Sequence, residues 1–247
     1  ITTYSYDPAY NRDTESSTTL DGNTVLTDLD YIYDVRNQLT EINDLQDPTA
    51  SVSYSFDGNG NQIAKTASAV TTNFVFDSRN NLRQVTNGRS TVRQFLYDAK
   101  GLRIEKLGDR GTERYTYDEL SVLTESDQTN TTLAKFDYGS NQLISLDHVS
   151  EGTQFYLTDA LGSIANLTRD DGGIQARYQY DAFGNERTTS GSSFNRFAFT
   201  GHEKDTETGL IYFKARFYDP ETGRFLSEDA YAGTPDNPPS LHRYLYV

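Results

Sequence analysis

The chain has 247 residues, a net charge of −14 at neutral pH and a sequence pI near 4.6. That sign excludes a nucleic-acid or anionic-membrane surface, which needs clustered Lys and Arg, and the absence of Cys excludes disulfides and thiolate metal sites. No apolar run approaches the length of a membrane span.

In chain order, the first element is the phrase Tyr4-Ser5-Tyr6-Asp7, followed by a Ser/Thr-rich stretch over residues 14–19 and the turn Asp21-Gly22-Asn23. The same phrase (aromatic, any residue, aromatic, Asp) returns as Tyr31-Ile32-Tyr33-Asp34, Tyr54-Ser55-Phe56-Asp57, Phe74-Val75-Phe76-Asp77, Phe95-Leu96-Tyr97-Asp98 and Tyr115-Thr116-Tyr117-Asp118, and again as Tyr178-Gln179-Tyr180-Asp181. Repetition on this scale signals a stacked array rather than an ordinary globule. Two aromatics one residue apart share a face of an extended strand, so each phrase reads as a strand ending.

Turn chemistry follows the aspartate, as in Asp57-Gly58-Asn59-Gly60-Asn61, Asp77-Ser78-Arg79-Asn80-Asn81 and Asp98-Ala99-Lys100-Gly101. Asp can accept from the backbone two residues on, and Gly or Asn three residues later tolerates the left-handed conformation. The chain then resumes with alternating polarity, as in residues 37–42 and 81–85, which predicts a second strand. One hairpin is marginal in water, so neighbouring hairpins are expected to pair into a long β strip. Leu, Ile, Val and Phe form only about a fifth of the chain, near the level at which disorder sets in; eighteen Tyr, recurring in register, favour an ordered single curved sheet.

Between Asp118 and Asp159 the phrase decays into Phe136-Asp137-Tyr138-Gly139 and Phe155-Tyr156-Leu157-Thr158-Asp159, and residues 188–193 read as a flexible connector. A dense run of short strands and Gly turns occupies residues 197–229, a loop covers 233–239, and Leu241 to Val247 reads as a strand cut short. The repeated aspartates Asp34, Asp57, Asp77, Asp98 and Asp181 suit turn capping better than a calcium ladder, whose ligands must converge on one point. His148, His202 and His242 lack metal-ligand spacing, so no metal and no cofactor are expected. The glycines lie between strands, which excludes a phosphate-binding loop, and no nucleophile elbow is present. No Met occurs, even at position 1, so an excised or processed piece of a longer protein is expected.

These repeats resemble the YD repeats of the RHS family. Residues 197–247 resemble the RHS-associated core, on Thr200-Gly201, Thr208-Gly209-Leu210, Ala215-Arg216-Phe217-Tyr218-Asp219-Pro220, Thr222-Gly223-Arg224-Phe225 and Leu226-Ser227-Glu228-Asp229. The resemblance implies an all-β fold in which tandem hairpins form a curved antiparallel strip, part of a hollow shell, over residues 1–193, closed by the core over 194–247. Family shells are several times longer, so an open arc is expected here.

The resemblance also implies containment of a C-terminal toxin passenger, export from a bacterial cell to the surface or beyond, docking on a secretion or translocation machine, and an immunity protein for the passenger. In bacterial members the core is followed by a segment at which the protein cuts itself by aspartyl-type chemistry. Asp229 and Arg224 match the part of the core nearest that machinery and are the candidate catalytic residues; the bland alternative is that Asp229 caps a turn and Arg224 pairs with a carboxylate. No turnover on an external substrate is expected. The rival readings are a cell-surface adhesion or carbohydrate-binding module, and a wall-associated structural protein.

Overall fold

The computed structural model describes residues 1–88, 90–108, 111–140 and 142–246. Two compact units make up the chain: a first of Ile1–Asn80, Val85–Ser90 and Phe225–Val247, and a second of Asn81–Gln84 and Thr91–Arg224. The first holds β1 (Thr2–Tyr6), β2 (Arg12–Thr18), β3 (Val25–Tyr33), β4 (Leu39–Asp44), β5 (Val52–Phe56), β6 (Gln62–Ala67) and β7 (Val70–Phe76), each antiparallel to the next. β8 (Leu82–Asn87) has residues in both units.

The second unit continues in the same manner with β9 (Ser90–Tyr97), β10 (Arg103–Gly108), β11 (Gly111–Asp118), β12 (Ser121–Ser126), β13 (Thr132–Gly139), β14 (Gln142–His148), β15 (Gly152–Thr158), β16 (Ile164–Arg169), β17 (Ile174–Tyr180) and β18 (Glu186–Gly191). Short strands β19 (Glu203–Lys204), β20 (Ile211–Tyr212) and β21 (Phe217–Asp219) pair antiparallel in sequence, and β22 (Arg224–Phe225) follows. Among the described residues the only helix is three single 3-10 turns, Pro48–Ala50, Phe199–Gly201 and Pro238–Leu241, and no helix is long and apolar enough to cross a membrane. The fold is all-β, built from tandem antiparallel hairpins as the repeats predict.

The phrase works as its spacing requires. Its first aromatic is buried at Tyr31, Tyr54, Phe74, Phe95 and Tyr115, the middle residue is exposed, and the second aromatic is half-buried. At Asp57 the turn is capped from every side. Oδ1 accepts from the N–H groups of Asn59 and Asn61, both at 2.9 Å, and Oδ2 from Asn61 Nδ2 at 2.9 Å. The Asp57 carbonyl accepts from Gly60 N–H at 3.1 Å, with Gly60 at φ +80°. Asp7, Asp98, Asp159 and Asp181 repeat the two Oδ1 bonds. Each of these five carboxylates is spent on its own turn.

Six residues after Asp7, Asp34, Asp57, Asp98, Asp159 and Asp181 the hairpin carries a β-bulge. The register skips Asp13, Thr40, Ile63, Ile104, Ala165 and Arg187, leaving each without a partner across the ladder. A bulge bends its strand and increases the local twist. It also shifts the alternation, so that residues three apart share a face: Leu39 with Ile42, Ile164 with Leu167, Arg103 with Lys106. Beside the bulge, the tyrosine ending one phrase donates to a carbonyl of the preceding hairpin. Tyr33 reaches Arg12 at 2.8 Å, Tyr97 reaches Leu82 at 2.5 Å and Tyr117 reaches Arg103 at 2.7 Å.

Three local expectations are corrected. Asp118 does not open a capped loop: it pairs with Ser121 at the end of β11, across a two-residue turn with Glu119 at φ +50°. The capped loop shifts to Asp127, whose Oδ1 accepts from Thr129 and Thr131 N–H, with no aromatic phrase before it. Residues 188–191 are not a flexible connector but lie in β18, where β-branched Thr188 and Thr189 pair with Gln179 and Tyr178. Residues 241–246 form no strand; His242 and Tyr244 are instead buried, and Val247 lies outside the described residues. In the second unit the sheet is also lined by the segment that follows β18. Phe197 packs edge-on against Phe136 and Tyr156, in a cluster with Val122, Leu146 and Ile164.

Candidate functional site

Asp229 belongs to the first unit and is half-buried. Its N–H donates to the Arg243 carbonyl at 2.9 Å, and its Oδ1 accepts from Tyr231 N–H at 2.8 Å, so it caps a turn. Glu228, beside it, is the anchor of the tail. Arg36 Nη2 donates to Glu228 Oε1 at 2.8 Å, Arg243 Nη1 to Oε2 at 2.7 Å, and the Tyr244 hydroxyl lies 3.3 Å from Oε1. Burial pushes the Glu228 carboxyl up, but bonds from Arg243 and Arg36 outweigh it and hold the group below its ordinary range. Tyr244 donates to the Gly60 carbonyl at 2.9 Å and lies 3.1 Å from Gln38 Nε2, while Gln62 N–H donates to the Leu226 carbonyl at 2.7 Å. A Cβ on Gly60 would come within 2.6 Å of the Glu228 side chain, so the glycine serves both the turn and this approach. Arg224 is the last residue of the second unit, buried in β22.

The second unit contains a denser arrangement that the sequence reading missed. Five strands and the segment after β18 bring Arg93, Arg103, Lys106, Glu113, Glu125, Arg196 and Glu203 out of solvent. Arg196 is its keystone. Its Nη1 donates to Glu113 Oε2 at 3.0 Å and lies 2.8 Å from the Tyr115 hydroxyl, its Nη2 donates to Glu125, and its guanidinium stands over the Tyr115 ring at 5.3 Å. Lys106 Nζ sits 3.0 Å from Glu113 and 3.6 Å from Asp205, and Arg93 Nη2 sits 3.2 Å from Glu113 and 2.6 Å from Glu207. Glu203, fully enclosed, takes Arg103 at 2.6 Å and Lys214 at 2.7 Å, with the Arg103 guanidinium 4.3 Å from the Tyr212 ring centre.

The two carboxylates on Arg196 titrate apart. Burial drives Glu125 up to about 7, with Arg196 opposing and Glu113 adding to the rise. Burial acts on Glu113 in the same sense, but Arg196, Lys106 and Arg93 together force it well below its ordinary range. Glu203 is driven down to about 2, Lys214 and Arg103 overcoming desolvation, and Lys106 is lowered chiefly by burial. Paired carboxylates with divided values run acid–base chemistry when a reactive bond lies between them. Here Arg196 occupies that space, so the immediate product of the arrangement is attachment: it fastens residues 192–197 to the sheet. A cleft of about 520 Å³ opens beside it, lined in part by Lys106, Glu113, Glu125, Phe194 and Arg196.

The sequence carried a faint signal for this cluster. Glu113 lies two residues before Tyr115, hence on the buried face of β11. Lys106 and Glu125 lie three residues after buried Arg103 and Val122, a spacing that looks wrong for a strand until the bulge is counted. Each histidine has a local partner: His148 stacks on Phe194 at 3.9 Å, His202 stacks on Phe213 at 3.8 Å, and His242 Nε2 lies 2.7 Å from Asn11 Oδ1. Among the described residues no group of three or more His, Asp or Glu could hold a metal ion.

Known proteins resemble this chain in sequence and in fold. The chain is 34% identical over 222 residues, 87% of its length, to the tRNA3(Ser)-specific nuclease WapA of Bacillus spizizenii. It is 34% identical over 221 residues, again 87% of its length, to the tRNA nuclease WapA of Bacillus subtilis. It spans 8% of the length of each of these relatives. Double-stranded DNA deaminase toxin A of Burkholderia cenocepacia is 35% identical over 77 residues, 29% of this chain and 5% of that protein. Among solved structures, the TcdB2-TccC3-Cdc42 crystal structure matches 100% of this chain and 18% of its own at a TM-score of 0.55 and 18% identity, a likeness of fold. The teneurin YD-shell profile matches residues 11–138 and 124–246. On the repeated capped hairpins and this match to nearly all of its length, the chain belongs to the teneurin YD-shell family of YD-repeat (RHS) proteins.

Proposed function

We propose that this chain is wall and closing core of a shell that encloses a toxin passenger C-terminal to it, with residues 1–193 as the hairpin array and 194–247 as the core. The carrying observation is the double anchorage of the core segment: Arg196 and Glu203 are locked into a buried ion cluster, and Glu228 and Tyr244 grip the turns at Arg36 and Gly60. A segment tied down at both ends can hold a C-terminal passenger in place while that reactive domain is kept from solvent. The activities of relatives, nucleases and a deaminase toxin, support a passenger of that kind. On this reading the protein is exported to the cell surface or beyond, engages a translocation machine, and meets an immunity protein only through its passenger.

Asp229 is the proposed acid of self-cleavage, presented by the anchored Glu228, with Arg224 supporting the same core. The experiment uses the complete precursor: wild type is expected to run as two pieces on a denaturing gel, and Asp229→Asn as one. Two pieces from the variant would remove Asp229 from the chemistry. A passenger digested by added protease as fast inside the precursor as when expressed alone would remove containment.

A further inference from the structure

The ion cluster of the second unit leaves one acceptor unused. Glu125 is fully buried and lines the 520 Å³ cleft; its Oε1 is taken by Arg196, while its Oε2 accepts no hydrogen bond. A buried carboxylate oxygen without a donor is costly, and the cost falls when a donor arrives. None of the cleft's own bases is free to supply it. Lys106 is held by Glu113 and Asp205, Lys204 by Glu186 at 2.9 Å, and Arg196 already serves Glu113 and Glu125. Among the described lining residues five carboxylates face three bases. The cleft therefore favours a cation.

We infer that this cleft binds a lysine or arginine side chain presented by an extended peptide, its cationic head on Glu125 Oε2 and its stem against Leu133 and Phe194. Long basic side chains cover apolar surface with their methylenes while the charge pairs at the tip, and half-buried Leu133 and Phe194 both line the opening. A peptide suits the site better than a bare metal ion for two reasons. No trio of metal-ligating side chains is gathered among the described residues. Arg196 Nε, also buried, lacks an acceptor, and a peptide-borne cation brings a carbonyl with it. The inference needs no passenger and stands apart from the containment reading: it is tested on the isolated chain with free peptide.

The test is calorimetric titration of the chain with acetyl-Gly-Gly-Arg-Gly-Gly-amide and with the same peptide carrying Ala in place of Arg. The charged peptide is expected to bind about tenfold more tightly, the scale of one charge-assisted hydrogen bond, and Glu125→Gln is expected to erase the difference. In parallel, the carboxyl carbon-13 resonance of Glu125 in the wild-type chain is expected to move as the Arg peptide is added, a readout that holds even if the variant does not fold. Equal affinity for the two peptides, or a Glu125 resonance unmoved at saturation, would overturn the site and leave the cluster a closed fastening only.

Discussion

The two units hold the residues that follow β18 by different physics. In the first, Glu228 is gripped at the surface: its partner Arg36 keeps 45% of its side-chain exposure and Arg243 keeps 39%. In the second, Arg196 and Glu125 are sealed, with side-chain exposures of 9% and 0%. A partly wet ion pair tolerates the loss of a member, because water replaces it. A sealed network does not, because each remaining charge is stranded. One chain thus carries a forgiving grip near Asp229 and an unforgiving one beneath the repeats.

The largest effect tests the sealed side. Arg196→Ala strands Glu125 and leaves Glu113 with Lys106 and Arg93 alone, and is expected to cost about 3–5 kcal/mol, lowering the second unit's transition in differential scanning calorimetry. Loss of less than about 1 kcal/mol would show that water reaches the cluster and erase the contrast. Glu125→Gln comes next, and its effect depends on pH. The folded value near 7 lies above the ordinary 4.5, so the folded state holds the extra proton between them. This group's contribution is complete below about 4.5 and is lost as pH rises toward about 7, with a slope of at most about 1.4 kcal/mol per pH unit. Glu113 runs the other way: its value is lowered, so its contribution is present above the ordinary range and lost in acid. The stability of wild type minus that of the Gln variant should therefore fall between about pH 5 and 7, a difference in which the titrations of His148 and His202, both lowered by burial, cancel. Urea unfolding of both proteins across that range checks it.

A smaller effect is expected from Tyr117→Phe, which removes one hydroxyl bond to the Arg103 carbonyl and should cost about 1 kcal/mol. The smallest belongs to the wet grip. Arg36→Ala should change stability by about 0–1 kcal/mol, an effect that 0.5 M salt should diminish further, whereas Arg196→Ala should respond to salt hardly at all. Matching salt dependence in the two variants would break the comparison.

Much of the hairpin array was legible because Tyr31, Tyr54 and Phe95 recur beside turn-forming aspartates, where local pattern and local structure agree. The sealed cluster was not, for a physical reason. Period-two reading places Lys106 and Glu125 on the wet face of their strands, and only the extra residue at Ile104 or Leu123 turns them inward. The Asp127 loop escaped notice because its cap works without any aromatic before it. Arg196 was hidden by distance, since nothing local to it names partners on β11 and β12. The same distance concealed what Glu228 does for Arg36, 192 residues earlier.

The tyrosine bonds at Tyr33, Tyr97 and Tyr117 have one direction in common: each hydroxyl points to a carbonyl earlier in the chain. A polypeptide leaving the ribosome amino end first therefore meets every acceptor already in place when the matching donor emerges. Along the array these bonds can close like masonry, each course set on the one below, whereas Glu125 must wait for Arg196, 71 residues later, before its charge is matched.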